Sequence, residues 1–311
     1  MLLVLSVRSA HYTSHFNMLQ YIFQMLYVGL LVGLAYGVPY DSFMTAKISA
    51  AASFAISFIL FGYSWMFLFR KRPALSKVPE GENIINTGFR QIGKTAVTIW
   101  TKYSALKWFM IALLWSPEAG AGVVLSIAVT FLTVQIQITG GEIGIITITL
   151  LIFTIPGSIF AKWFMMRYNP LQSFRASLVF FAVSIGATCI VLDNPNRKNW
   201  TYLFAALLGI AYGWVYPSQR VMQVTLIPKG QNNEMMGFFS FCSQILGWLP
   251  ALLFSIMNEN GVDMRWGMAL IPFFICLSIV FTIFIGDYDE AVAMVAEETK
   301  SEENGVESEK M

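Results

Sequence analysis

The chain is short of charge. Only 12% of its 311 residues are Asp, Glu, Lys or Arg, about half the ~25% of an ordinary soluble domain. That scarcity excludes a disordered chain, a nucleic-acid binder and an ordinary soluble enzyme. Cysteine is scarce too. Cys189, Cys242 and Cys276 all fall in apolar runs, read as small core residues, and imply no disulfide framework. The only two histidines, His11 and His15, are four residues apart with no Cys, Asp or Glu nearby, so no metal centre is expected. Phosphate loops, nucleophile elbows and metal-ligand clusters are missing. The sequence therefore predicts neither an enzyme nor a cofactor. The opening MLLVLSV lacks a basic stretch and does not read as a cleaved signal peptide.

What is present is apolar sequence in long runs. Apolar residues make up 56% and aromatic residues 15%, and mean hydropathy is +0.62. A helix needs about 20 apolar residues to cross a bilayer. Eight runs qualify: Leu19–Val38, Ile48–Phe69, Trp108–Leu132, Ile143–Ala161, Ala176–Leu192, Trp200–Ser218, Met236–Met257 and Trp266–Ile285. None alternates with the two-residue period of a barrel strand. The predicted fold class is an all-α polytopic membrane protein with about eight transmembrane helices. These divide into residues 1–69 with two spans, a basic linker over 70–107, a six-helix bundle over 108–285, and an acidic tail over 286–311. The tail holds nine acids against two lysines, which leaves the rest of the chain at +9. It is expected to be disordered and solvated. The lipid bilayer and a small solute are the expected partners, and nucleic acid is not.

Lys and Arg set the predicted orientation. With the amino terminus cytosolic and the spans alternating, cytosolic segments hold 16 of the 20 basic residues. Eight of these lie in the linker: Arg70, Lys71, Arg72, Lys77, Arg90, Lys94, Lys102 and Lys107. Both termini then face the cytosol. One glycosylation sequon, Asn199-Trp200-Thr201, falls on the other side but hugs the membrane.

Few polar residues interrupt the spans, and these are the candidate site residues. Glu118 follows Pro117 in WSPEAGAG. A span beginning at Trp108 puts it about 15 Å deep, near the bilayer midplane, where a carboxylate costs ~2.5–3.5 kcal/mol or more and faces a cavity or a partner. Pro117 removes a helix hydrogen bond, and a broken helix beside an acid is how transporters build substrate or proton sites. A span beginning at Ala119 instead makes Glu118 an interfacial first-turn acid. In the sixth span, Gly209 and Gly213 share a face suited to close helix contact, and Pro217 is placed to kink the cytosolic end. Arg220 reads as a gate or anion contact, or as a snorkelling anchor. Tyr212, Tyr216 and Gln219 line a cavity or sit at the interface. Gln244 in the seventh span contacts substrate or glues helices. Gly29, Gly33 and Gly37 form one stripe, expected to pack against another span.

Several segments resemble a known family. ISAAASFAISFILFGYSWMFLFRKRPA looks like the sixth helix and basic central loop of the major facilitator superfamily. Within it, the chain is similar to the vacuole effluxer family of autophagy-related vacuolar amino-acid exporters. WSPEAGAG resembles that family's helix-seven signature, with Glu118 for Asp and Ala119 for Gly. GSIFAKWFMMRYNP resembles the short basic loop after its eighth helix, with Gly157 and Lys162 in place and Ala161 where the loop has an acid. Arg220, Pro228, Glu234 and Gly237 occur in the order of its tenth and eleventh helices. The resemblance implies twelve spans worked by alternating access, of which eight are legible here. It implies a secondary transporter that exports amino acids from a vacuole or similar endomembrane; proton coupling through Glu118 is expected separately, because a desolvated intramembrane carboxylate can titrate near neutral pH. The alternative is a structural or regulatory membrane protein that does not transport, or a truncated product of a transporter gene.

Overall fold

In a computed structural model, residues 2–37, 42–69, 84–115, 117–227 and 232–297 are described. They are helical nearly throughout. The elements are α1 (Leu2–Gly37), α2 (Ser42–Tyr63, continued by a π-helical turn Ser64–Leu68), α3 (Ile84–Lys102), α4 (Ser104–Leu114) and α5 (Pro117–Val134). There follow α6 (Gly140–Arg167), α7 (Pro170–Val191), α8 (Trp200–Leu226), α9 (Asn232–Gln244), α10 (Trp248–Glu259) and α11 (Met264–Ile283). A last helix, α12, covers residues 288–297. All eight apolar runs are mainly helical where described. Among the described residues, six helical stretches are long and apolar enough to cross a membrane by length and composition.

Four expectations change. The seventh run is two helices, α9 and α10, as the third is two, α4 and α5, parted at Pro117. The linker is not all loop, because it contains the 19-residue α3. GSIFAKWFMMR is not a loop: Gly157 and Lys162 lie inside α6, which runs to Arg167. The tail is not disordered over 288–297, where Tyr288, Ala291, Val292 and Val295 are buried in the main core. The Asp287 carboxylate starts that helix by accepting from the Asp289 backbone N–H at 2.8 Å.

The bundle is organised on α6 and α8. Glycines let their backbones meet. A Cβ added at Gly209 would strike the Leu150 carbonyl oxygen, one at Gly213 the Thr154 carbonyl oxygen, and one at Gly157 the Ile210 carbonyl oxygen. The four-residue spacing of Gly209 and Gly213 therefore does what small residues do between membrane helices. The stripe Gly29, Gly33, Gly37 does not: added Cβ atoms there meet nothing within 4 Å. The reason is orientation. α1 turns a different side, with Ser14, Asn17, Tyr21 and Val32, toward α6 and α8. α2 leans on α1, where the Tyr27 hydroxyl donates to the Ser49 carbonyl at 3.0 Å and meets the Ser53 hydroxyl.

Phe109, Phe131, Phe174, Phe181 and Phe239 fill the interior of the remaining bundle. Each such ring contributes about 1.5–3 kcal/mol relative to exposure in water; in hydrocarbon the gain is packing rather than escape from water. The start of α6 is pinned from outside. Glu142 accepts from the Thr139 backbone N–H at 3.0 Å and the Thr139 hydroxyl at 3.1 Å. Its other oxygen accepts from Lys198 at 2.7 Å. That hydrogen bond holds the Lys198 ammonium above its ordinary range. Because the pair is partly exposed, the cap contributes more than the charge attraction. Glu142→Ala is expected to lower stability by about 1 kcal/mol, a fall of a few degrees in the melting temperature of the detergent-solubilised protein. No change in melting would show that the cap is dispensable.

Candidate transport site

Two interrupted helices stand side by side. The first interruption separates α4 from α5. Pro117 begins α5 and carries no N–H, so it cannot serve the Leu113 carbonyl as an unbroken helix would, and the end of α4 finds donors elsewhere. The Ala112 carbonyl instead accepts from the Trp115 backbone N–H at 3.2 Å and from the Ser278 hydroxyl of α11 at 2.8 Å. Trp115 itself stacks on Phe274 of α11, with ring centroids 5.4 Å apart. A third helix thus caps the break and holds its geometry.

The second interruption spans Ile245–Gly247. The Gly247 N–H closes on the Gln244 carbonyl at 2.9 Å, and α10 restarts at Trp248. Pro250 lies within the first turn of α10, where a missing N–H costs nothing. α4 packs on α9, and α5 packs on both α9 and α10, so the two breaks adjoin. Gln244, the last residue of α9, is exposed. Glu118 lies in the first turn of α5, and its side chain lies outside the described residues. A helix does start just before it, as an interfacial first turn requires, and that start is a break inside a longer apolar run.

A second polar group lies between α1 and α8. Tyr212 is buried, stacks on Tyr216 with centroids 5.8 Å apart, and meets Phe181 edge-on at 5.1 Å. Tyr21 of α1 is buried within electrostatic reach of Tyr216 and Arg220. Arg220 is exposed, Gln219 is buried, and Pro217 sits buried inside a helix that continues to Leu226. Gln223 donates to the Met236 sulfur at 2.9 Å, while its carbonyl oxygen is buried without a described partner. Nearby, the Trp214 ring N–H donates to the Ser173 hydroxyl at 2.9 Å, and Ser173 pairs with Ser218 at 2.8 Å.

The structure thus brings Tyr212, Tyr216, Gln219 and Arg220 together on α8 and places Gln244 on another helix. Sequence reasoning passed over Gln223, Tyr21 and Ser278. Gln223 was within reach, since it continues the stripe of Tyr212, Tyr216 and Gln219 at three- and four-residue spacing. Tyr21 and Ser278 carried no local signal. Each matters through what a distant helix presents to it. Arg175 is similar: half-buried on α7, it donates to the Thr282 carbonyl at the end of α11 at 2.5 Å.

Comparison with known proteins places this arrangement. A family model described as "Vacuole effluxer Atg22 like" matches residues 9–292. The Bacillus subtilis (strain 168) protein described as "Uncharacterized MFS-type transporter YxiO" is 23% identical over 253 residues, which cover 78% of this chain and 56% of that one. The chain therefore spans little more than half the length of that curated relative. Among solved structures, the Escherichia coli fucose:proton symporter FucP superposes with a TM-score of 0.50 at 14% identity, covering 88% of this chain and 70% of that one. A bacterial homologue of the iron transporter ferroportin, in an outward-facing state, gives 0.48 at 18% identity, covering 87% and 63%. At such identities the FucP likeness speaks for the fold alone.

Proposed function

From the premise that this chain belongs to the vacuole effluxer Atg22-like family, we propose that it works as a secondary transporter of small solutes. The solute class is amino acids, and the direction is out of a vacuole-like lumen by alternating access. The observation that carries this reading is the pair of adjoining helix breaks, with Glu118 in the first turn after one and Gln244 at the lip of the other. Broken helices expose backbone N–H and carbonyl groups at membrane depth, where they replace water around a polar solute. A zwitterionic amino acid needs both polarities. The N-terminus of α5 offers donors and a partial positive charge, and the carbonyls closing α4 and α9 offer acceptors. Glu118 is the candidate proton carrier, Gln244, Tyr212 and Tyr216 are candidate solute contacts, and Arg220 and Pro217 belong to the gate.

The test is a substrate panel. Purified protein is reconstituted into vesicles loaded separately with labelled amino acids, sugars and nucleosides, with and without an imposed pH difference. Saturable amino-acid efflux that the pH difference accelerates is the expected result. Amino-acid flux no greater than in protein-free vesicles, with sugars or nucleosides moving instead, would replace the substrate class. No flux for any class would favour a non-transporting membrane protein.

A further inference from the structure

We propose that α3 is an interfacial helix that binds anionic phospholipid headgroups at the bilayer surface beside the linker. Among the described residues, the helix is buried along one edge. Thr95, Ile99 and Tyr103, four residues apart, are buried there, where α3 packs on α4 and α9. At about 100° per residue, Ile92, Trp100 and Val97 lie progressively further round the helix from that edge. They are 40%, 63% and 64% exposed. Arg90 and Lys94, both exposed, follow on the next side. The order around the helix is therefore protein-facing edge, bare apolar arc, then basic rim. Interfacial helices share this pattern of an apolar face sunk to the acyl boundary and cations among the phosphates.

The level of the helix is set independently. Lys107 places its ammonium 5.2 Å from the ring centroids of both Trp100 and Trp108. Trp108 in turn stacks on Phe284 and Phe281 at the end of α11, at 4.9 and 6.5 Å. Trp100 is thus tied to an aromatic collar where α4 begins and α11 ends, and such collars mark the membrane–water boundary. Charge decides which lipid. Residues 70–107 carry eight basic residues and only two acids, Glu80 and Glu82. A free phosphate ion would use the rim and leave the apolar arc bare, whereas a lipid satisfies both. The consequence is functional: α3 leads directly into α4, which ends at the Pro117 break, so headgroup binding bears on the position of the interrupted helix.

The experiment uses the full chain in vesicles of phosphatidylcholine, with or without phosphatidylglycerol. An environment-sensitive fluorophore is attached at Val97→Cys in a Cys276→Ser background, since Cys276 is the exposed native thiol. The label is expected to be quenched by brominated acyl chains and shielded from aqueous iodide. Phosphatidylglycerol retained by the purified protein in detergent is expected to fall about fivefold for each of Arg90→Gln and Lys94→Gln. Iodide quenching without bromolipid quenching would overturn the proposal, because the arc then faces water. Shielding from both quenchers would overturn it too, because protein then covers the arc. Unchanged phosphatidylglycerol retention in both charge variants would remove the headgroup as ligand.

Discussion

Gly213→Leu is expected to abolish the folded bundle. A single added carbon at Gly213 would already overlap the Thr154 carbonyl oxygen and lie 2.9 Å from the Ser158 backbone nitrogen. Neither neighbour is a flexible side-chain end that can swing aside. Both belong to the backbone of α6, so α6 and α8 must part. Their separation would also undo the reciprocal contacts of Gly157 and Gly209 and disturb α1, which lies across both helices. Overpacking alone costs ~3 kcal/mol, a large share of a typical stability of about 5–15 kcal/mol. Loss of the monodisperse peak in detergent, or a melting temperature lowered by ten degrees or more, is the expected readout. Gly186→Ala on α7 is the control, since an added Cβ there meets nothing, and its stability should hold or rise slightly. If Gly213→Leu melts like that control, the close crossing of α6 and α8 is wrong.

Glu118→Gln is expected to cut gradient-driven solute flux about tenfold or more, the equivalent of losing a ~1.5 kcal/mol hydrogen bond to a charged group. The substitution keeps the size and the first-turn position but removes the ionisable proton. Two measurements separate its roles. If the carboxyl carries the coupling proton, flux driven by a pH difference falls while solute exchange at equal pH persists. If it only grips solute, both fall together. Glu118→Asp keeps the charge, shortens the reach, and should retain part of the coupled flux. Gradient-driven flux equal to the unsubstituted protein in Glu118→Gln would remove the residue from the mechanism and leave the helix break without an acid that uses it.

The legible parts were those set by periodic or local chemistry. Eight apolar runs became helices because hydrocarbon satisfies no backbone polar group, so each run must satisfy its own. Gly209 and Gly213 were readable as a contact because their spacing puts both on one face. Gly29, Gly33 and Gly37 have the same spacing and face open space, so a small-residue stripe shows that a close approach is sterically allowed without showing that one occurs. The break at Pro117 was legible from the missing N–H. Its counterpart at Ile245–Gly247 was not, because a single glycine inside an apolar run is equally compatible with an unbroken helix.

By itself, then, the sequence determined the solvent this protein lives in and the number of its apolar runs, because those follow from composition and spacing along one chain. Tertiary structure alone decided which faces meet. It set the two helix breaks against each other, gave the Ala112 carbonyl its partner in Ser278 from 166 residues away, seated Tyr21 against α8 and folded the start of the acidic tail back into the core. The physical reason is that a hydrogen bond or packed contact between distant helices leaves no periodic trace in either one. It exists only when the rest of the bundle holds both in register.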